Sequence, residues 1–211
     1  MNLILLGPPG SGKGTQAKIL VQSANYIQLS TGDILRESRQ SGTKLGREVA
    51  AVMDAGDLVT DEIVIALIEE KLTSIEGQDI IFDGFPRTLP QADALDDLMH
   101  RMGSKIDLAI ELTVDSSKLI ERIIGRISCP NCGAMYHLTN NPPKVEGVCD
   151  HCGRILIQRP DDNEESFRTR LLEYYSKTAP LTGYYYKSGI LKYVTSEGSI
   201  KNIAQTISEL L

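Results

Sequence analysis

The stretch GPPGSGKGT at residues 7–15 sets Gly7, Gly12 and Lys13 in the spacing Gly-x4-Gly-Lys, directly after the apolar run Leu3–Leu6. Glycines let the backbone curl without Cβ clashes, so successive N–H groups can face an anion. A helix starting there adds the partial positive charge of its N-terminus. The lysine of such a loop reaches the β- and γ-phosphates of a nucleotide. The competing account is a tight strand-to-helix turn with a surface lysine. The next position departs from the usual Ser or Thr. Gly14 offers no hydroxyl to magnesium, and Thr15 lies about 100° further round a helix. Mg2+ is therefore expected to be held mainly by phosphates and water.

A second cluster points to a metal. Cys129-x2-Cys132-x16-Cys149-x2-Cys152 has the spacing of a four-thiolate site, with Gly133 and Gly153 after each pair to let a knuckle turn close. Four thiolates complete a tetrahedral ion and leave no position for a reacting water, so the expected role is structural Zn2+. The ion would replace an apolar core that about 35 residues can hardly build. Two disulfides are the alternative, which a reducing cytoplasm and the poor geometry of CxxC staples disfavour. A redox role is weaker still, since neither pair opens a helix after a strand. His137 and His151 lie nearby and stay outside the ligand set.

These groups need a scaffold. Apolar runs at Leu3–Leu6, Tyr26–Leu29, Ile80–Phe82, Leu108–Leu112 and Ile190–Val194 are too short for helices and mostly lack polar alternation, as buried parallel strands do. Amphipathic stretches lie between them, with starts such as Thr60 before Asp61 and Glu62, and Asp115 before Ser116 and Ser117. The alternation predicts a doubly wound α/β core with ligands at the carboxyl ends of the strands. Two segments interrupt it: a helical detour from 30 to about 59, and a Cys-, Pro- and Gly-bearing, β-rich insert from 125 to about 160.

The 211 residues carry 22 Lys and Arg against 28 Asp and Glu, a formal net charge of −6. That balance argues against a general nucleic-acid binder, which needs basic surface to replace counterions. No apolar run approaches the length of a membrane span, and the N-terminus lacks the pattern of a signal peptide. The expected location is the cytoplasm.

GPPGSGKGTQA at 7–17, STGDILR at 30–36, DAGDLVTDE at 54–62, IIFDGFPRT at 80–88 and RPDDNEESFRTRL at 159–171 together closely resemble adenylate kinase, nearly end to end. The resemblance implies ATP + AMP ⇌ 2 ADP, a monomer, and a P-loop NTPase-type parallel sheet flanked by helices. It divides the chain into a core (1–29, 60–124 and 163–211), a helical AMP-binding insertion (30–59) and a small β-rich zinc lid (125–162). It assigns Gly10, Ser11, Gly12, Lys13, Gly14, Thr15, Arg122, Arg126, Met135, Tyr136 and Gly198 to ATP. Thr31, Arg36, Asp57, Leu58, Val59, Gly84, Phe85, Pro86, Arg87, Gln91, Arg159 and Arg170 fall to AMP. Lys13, Arg87, Arg126, Arg159, Arg170 and Asp83 form the catalytic set.

The chemistry asks for the same residue types, because phosphoryl transfer between nucleotides needs alignment and positive charge rather than covalent help. Arg122 and Arg126 are spaced to share one face at a helix end. Arg168 and Arg170 would point about 200° apart, so one of them, Arg170, is expected in the cleft. Asp83, ending an apolar strand, either orients magnesium-bound water or caps the following turn. Tyr136 either contacts ATP or packs inside the insert. Two further possibilities remain: another acceptor (UMP, CMP or GMP), or a regulatory or nucleic-acid module. The second is opposed by the sparse basic residues between 126 and 160, namely Arg126, Lys144, Arg154 and Arg159, offset by Glu146 and Asp150.

Overall fold

All five apolar runs become parallel strands, and the inner ones, built from Leu3–Leu6, Ile80–Phe82 and Leu108–Leu112, are covered on both faces. The computed structural model describes residues 1–24, 26–40, 44–55, 59–75 and 77–211; Asp57 and Leu58 lie outside the described residues. The chain runs β1 (Asn2–Leu6), α1 (Lys13–Ala24), β2 (Ile27–Ser30), α2 (Thr31–Gln40), α3 (Lys44–Ala55), α4 (Asp61–Thr73), β3 (Ile80–Asp83), α5 (Leu89–Arg101) and β4 (Leu108–Thr113). It continues through α6 (Leu119–Ile124), β5 (Arg126–Ser128), β6 (Met135–His137), α7 (Glu164–Glu173), a π-helical turn (Tyr174–Thr178), α8 (Leu181–Lys187), β7 (Leu191–Thr195) and α9 (Ile200–Ser208).

The main sheet has the order β2-β3-β1-β4-β7 with every pairing parallel. The connection from β1 leaves toward β2, whereas β4 is followed across the sheet by β7, so the order reverses between β1 and β4. In open α/β sheets such a reversal opens a crevice at the carboxyl ends of the strands. Along β1, Ile4 and Leu6 join a cluster with Leu29, Phe82, Ile68, Leu95 and Leu181. Leu3 and Leu5 join the opposite one with Ala17, Leu20, Ile81, Ile203 and Ile207. Burial on both faces is why the inner strands lack polar alternation, while the edge strand β7 leaves Lys192, Tyr193 and Thr195 exposed.

Local starts follow the expected chemistry with one exception. Asp115 Oδ1 accepts from the Ser117 amide at 2.9 Å, and Thr88 and Ser199 cap α5 and α9. Thr60 makes no side-chain cap. The neighbouring Asp61 instead accepts from Thr88 Oγ1 at 2.8 Å and Gln91 Nε2 at 2.7 Å, tying α4 to α5.

The helix expected to carry both Arg122 and Arg126 ends at Ile124 with Gly125 as its cap. Arg126 instead opens β5 and pairs in register with His137 of β6, so helical spacing does not relate the two arginines. The insert beyond has a four-residue core of Cys129, Tyr136, Cys149 and Leu156. Among the described residues no helix is long and apolar enough to cross a membrane.

Phe82 is fully buried, in register with Ile4 and Leu29. Phe82→Ala is expected to lower the unfolding free energy by about 3–5 kcal/mol, seen as a lower urea midpoint at unchanged slope.

Candidate active site

The loop between β1 and α1 is held in a shape that only glycine adopts easily. Gly7, Gly10 and Gly12 have φ of 136°, 88° and 96°. At Gly7 a Cβ would also come within 2.7 Å of the Leu112 carbonyl oxygen, which fixes the loop against β4. The Thr15 and Gln16 amides fold back to the Gly12 carbonyl at 3.1 Å, starting α1. The Lys13 ammonium donates to the Gly7 and Pro8 carbonyls at 2.6 and 3.0 Å. Burial, helped by the nearby Arg87, lowers its pKa to about 8 although Asp83 and Glu111 pull the other way. The helix begins at Lys13 itself.

Gly14 has its own reason. A Cβ there would stand 3.3 Å from Asp83 Oδ2, so the space that a Ser or Thr side chain takes in the commoner loop is crowded by the carboxylate. Asp83 closes β3, accepts from Gln28 Nε2 at 2.9 Å, and has its pKa raised by burial against the lowering pull of Lys13.

A cleft of about 1240 Å³ opens over the strand ends. Its walls include Gly10, Gly12, Lys13, Gly14, Thr15, Arg36, Asp83, Gly84, Pro86, Arg87, Arg122, Arg126, Met135, Tyr136, Arg159, Arg170 and Gly198. Lys13 comes from the loop, Arg36 from α2, Arg87 from the turn after β3, Arg122 from α6, Arg126 from β5 and Arg170 from α7. Burial lowers Arg87 to about 10, with Arg170 adding repulsion. Arg159 is likewise lowered to about 10 by burial and by Arg126. Arg170 is lowered by burial and held up by Asp161. Arg168 points away, 72% exposed and paired with Glu164.

Carboxylates that the sequence reading passed over hold this cluster together. Asp162, with a fully buried side chain, takes both the Nε (2.8 Å) and a terminal nitrogen of Arg126. Asp161 Oδ2 accepts from Arg170 at 2.8 Å. Burial pushes Asp161 up, but Arg170, Arg126 and Arg159 bring it below the usual carboxylate range. Arg36 pairs with Asp33, and Arg122 donates to the Ser196 carbonyl at 2.8 Å. The doublet Asp161-Asp162 two residues after Arg159 was the available signal.

Several expected contact residues lie behind the cleft wall. Ser11 is buried beneath the loop, and Phe85 packs into the core against Phe82. Thr31 donates to the Gly84 carbonyl at 2.7 Å. Gln91 is buried, accepting from the Arg87 amide and donating to Asp61, both at 2.7 Å. It meets Leu35, Val59, Val64, Gly84 and Arg87 around a second, much smaller cavity. Tyr136 belongs to the insert's core: its hydroxyl accepts from the Asp150 amide at 2.9 Å while part of the residue borders the cleft.

The four cysteine sulfurs lie within 4.8 Å of one another, with the separations Cys129–Cys152, Cys132–Cys149 and Cys132–Cys152 at 3.4, 3.5 and 3.6 Å. All four are free, and the spacing is close to the edge of about 3.8 Å expected for a tetrahedral zinc–sulfur centre with bonds of about 2.3 Å. Desolvation pushes the Cys149 thiol up, but the His151 and Cys152 amides and the Tyr136 hydroxyl hold it down to about 6. Amides aimed at sulfur favour the thiolate that a metal requires. Lys18 of α1 donates to the carbonyls of Gly133 and Cys132, joining the phosphate-loop helix to the first knuckle.

The chain resembles known proteins along its whole length. A family model described as Adenylate kinase matches residues 5–190. The adenylate kinase of Paracoccus denitrificans is 55% identical over 212 residues, covering 100% of this chain and 97% of that protein. That of Paramagnetospirillum magneticum is 49% identical over 213 residues, with 100% and 98% covered. That of Citrifermentans bemidjiense is 49% identical over 208 residues, with 98% and 97% covered.

A lysine titrating at about 8 is charged below that pH and neutral above it. Affinity for inorganic tripolyphosphate, measured by calorimetry, is therefore expected to fall as the pH rises through about 8, and Lys13→Arg is expected to remove that fall. Affinity independent of pH across this range in the unaltered protein would separate Lys13 from anion binding.

Proposed function

The chain belongs to the adenylate kinase family and is a nucleoside monophosphate kinase catalysing ATP + AMP ⇌ 2 ADP, and we propose that its buried cluster of cations carries the transfer. The observation behind this reading is that Lys13, Arg87, Arg126, Arg159 and Arg170 converge from separate segments on one cleft, where burial disfavours the charge of Lys13, Arg87, Arg159 and Arg170. Cations that burial and mutual repulsion make unfavourable are complementary to polyphosphate, most of all where charge spreads over the equatorial oxygens in transit.

In this reading the donor's phosphates lie on the loop amides Gly10–Thr15 and on Lys13, with its base toward Arg122, Met135, Tyr136 and Gly198. The acceptor's phosphate meets Arg36 and Arg87, and its base lies toward Thr31, Val59 and Gln91, a position supported by the small cavity those last two residues help line. Arg87, Arg126, Arg159 and Arg170 surround the transferring group from four different chain segments. Mg2+ enters with ATP as part of the substrate. Asp83 orients its water, in keeping with a carboxylate beside the loop and with the absence of a hydroxyl at position 14. Closing the cleft keeps water from competing with AMP for the phosphoryl group.

The segments that supply these groups are a core (1–29, 60–124 and 163–211), an AMP-binding insertion (30–59) and a lid (125–162). Cys129, Cys132, Cys149 and Cys152 would hold Zn2+, which supplies a structural cross-link to an insert whose own apolar core is four residues. The enzyme acts as a cytoplasmic monomer, a reading supported by free thiols, net negative charge and the family resemblance.

A coupled assay of ADP formation from ATP with AMP, UMP, CMP or GMP tests the acceptor, and AMP is expected to be preferred. A preference for another acceptor would overturn the adenine assignment. Lys13→Ala is expected to lower turnover by about 10²–10³ or more with folding nearly unchanged; wild-type turnover would remove the phosphate role of the loop. Cys129→Ala is expected to lower both bound zinc, measured by elemental analysis, and the melting temperature. Unchanged metal content would remove the ligand assignment.

A further inference from the structure

The inner strand β4 buries Leu108, Ala109, Ile110 and Leu112, and among them one carboxylate, Glu111, only 5% exposed. A buried carboxylate is costly unless its oxygens are satisfied. Here Oε1 accepts from the Tyr174 hydroxyl at 2.6 Å, while Oε2 has no hydrogen-bond partner. Glu111 is in register with Leu6, the last residue before the phosphate loop. Burial raises its pKa, opposed by the Tyr174 hydrogen bond and by the charge of Lys13.

Tyr174 opens the π-helical turn, whose wide loop closes through the Ala179 amide on the Tyr174 carbonyl at 2.8 Å. Such turns fit an extra residue into a helix at the expense of regular bonding and occur frequently at functional sites. Both ends of this one are tied to the transfer machinery. At its start, the Tyr174 amide bonds the Arg170 carbonyl and its hydroxyl bonds Glu111. At its end, Thr178 Oγ1 donates to the Arg87 carbonyl oxygen at 2.9 Å. Tyr174 and Thr178 border the same cleft as Lys13, Arg87 and Arg170.

We propose that Glu111 is a positioning residue: through Tyr174 it anchors the π turn, and the anchored turn sets the register of Arg170 and of the Arg87 backbone against the phosphate loop. This rests on the reading that Arg87 and Arg170 touch the transferring phosphoryl group. Glu111 itself touches no substrate. Its link to Tyr174 matters because small misplacements of charged groups weaken the transition state more than they weaken binding.

Single-turnover transfer rates at saturating ATP and AMP, nucleotide dissociation constants and melting temperatures test the proposal. Tyr174→Phe deletes one oxygen and is expected to slow transfer about 10-fold or more, with both dissociation constants within about twofold of wild type. Glu111→Leu is expected to do the same, and the double variant to be no slower than the slower single, because both cut one link. Glu111→Gln keeps an oxygen that accepts from Tyr174 and is expected to recover most of the rate. Thr178→Val is expected to slow transfer through the separate tie to Arg87.

A wild-type rate in Tyr174→Phe overturns the proposal. So does a Glu111→Gln rate as low as that of Glu111→Leu, or a loss that disappears after correction for the folded fraction. Should Glu111→Leu not fold, the Tyr174→Phe and Glu111→Gln outcomes still decide. Arg87→Lys and Arg170→Lys separate the two readings. Wild-type rates in both would defeat the assignment of those arginines, whereas slow arginine variants beside a fast Tyr174→Phe would defeat only the positioning role.

Discussion

Like charges gathered away from water repel one another, and repulsion among Lys13, Arg87, Arg126, Arg159 and Arg170 constrains much of this molecule. Arg170 lowers the proton affinity of Arg87, and Arg126 that of Arg159. The chain meets this with anions of its own set among the cations: Asp83 and Glu111 near Lys13, Asp161 behind Arg170, and the buried Asp162 gripping Arg126. Removing one partner from such a pair leaves an uncompensated buried charge, which typically costs about 3–5 kcal/mol. The internal carboxylates therefore hold the guanidinium groups ready while leaving nitrogens for phosphate oxygens.

The placement of these cations follows from topology. Parallel strands with both faces buried bring their carboxyl ends to one edge, where Lys13, Asp83 and Arg87 leave the sheet over a rigid floor. The remaining arginines arrive from α2, α6, the β5–β6 insert and α7, elements outside the sheet. A site whose charges are shared between a fixed floor and such elements is complete when they come together over it, which suits a reaction that must exclude water.

Much of this was legible in the sequence, and the exceptions have physical causes. The strands could be read because burial on both faces leaves continuous apolar runs, and the loop because its glycines answer a local backbone demand. The pairing of Arg122 with Arg126 on one helix face failed because helical spacing holds only while the helix lasts, and Gly125 ends it. The ties that orient Gln91, to Asp61 and to the Arg87 amide, were not legible because their partners are distant in sequence or belong to the backbone. Glu111 went unmarked because it sits inside an apolar run, though a lone carboxylate in a doubly buried strand was the signal. Asp161 and Asp162 were equally visible as residues and silent as partners, since nothing local says which arginine each will hold.

The bond from Lys18 to the carbonyls of Gly133 and Cys132 links two parts of the chain that share no chemistry. Lys18 belongs to the helix whose first turn cradles phosphate, and its acceptors belong to the turn shaped by the sulfur cluster. Were the proposed Zn2+ to leave that cluster, the phosphate-facing amides would stay in place while the carbonyls that Lys18 reaches lost their mooring. Metal supply would then be felt at the phosphate-loop helix through a single ammonium group on the cleft wall.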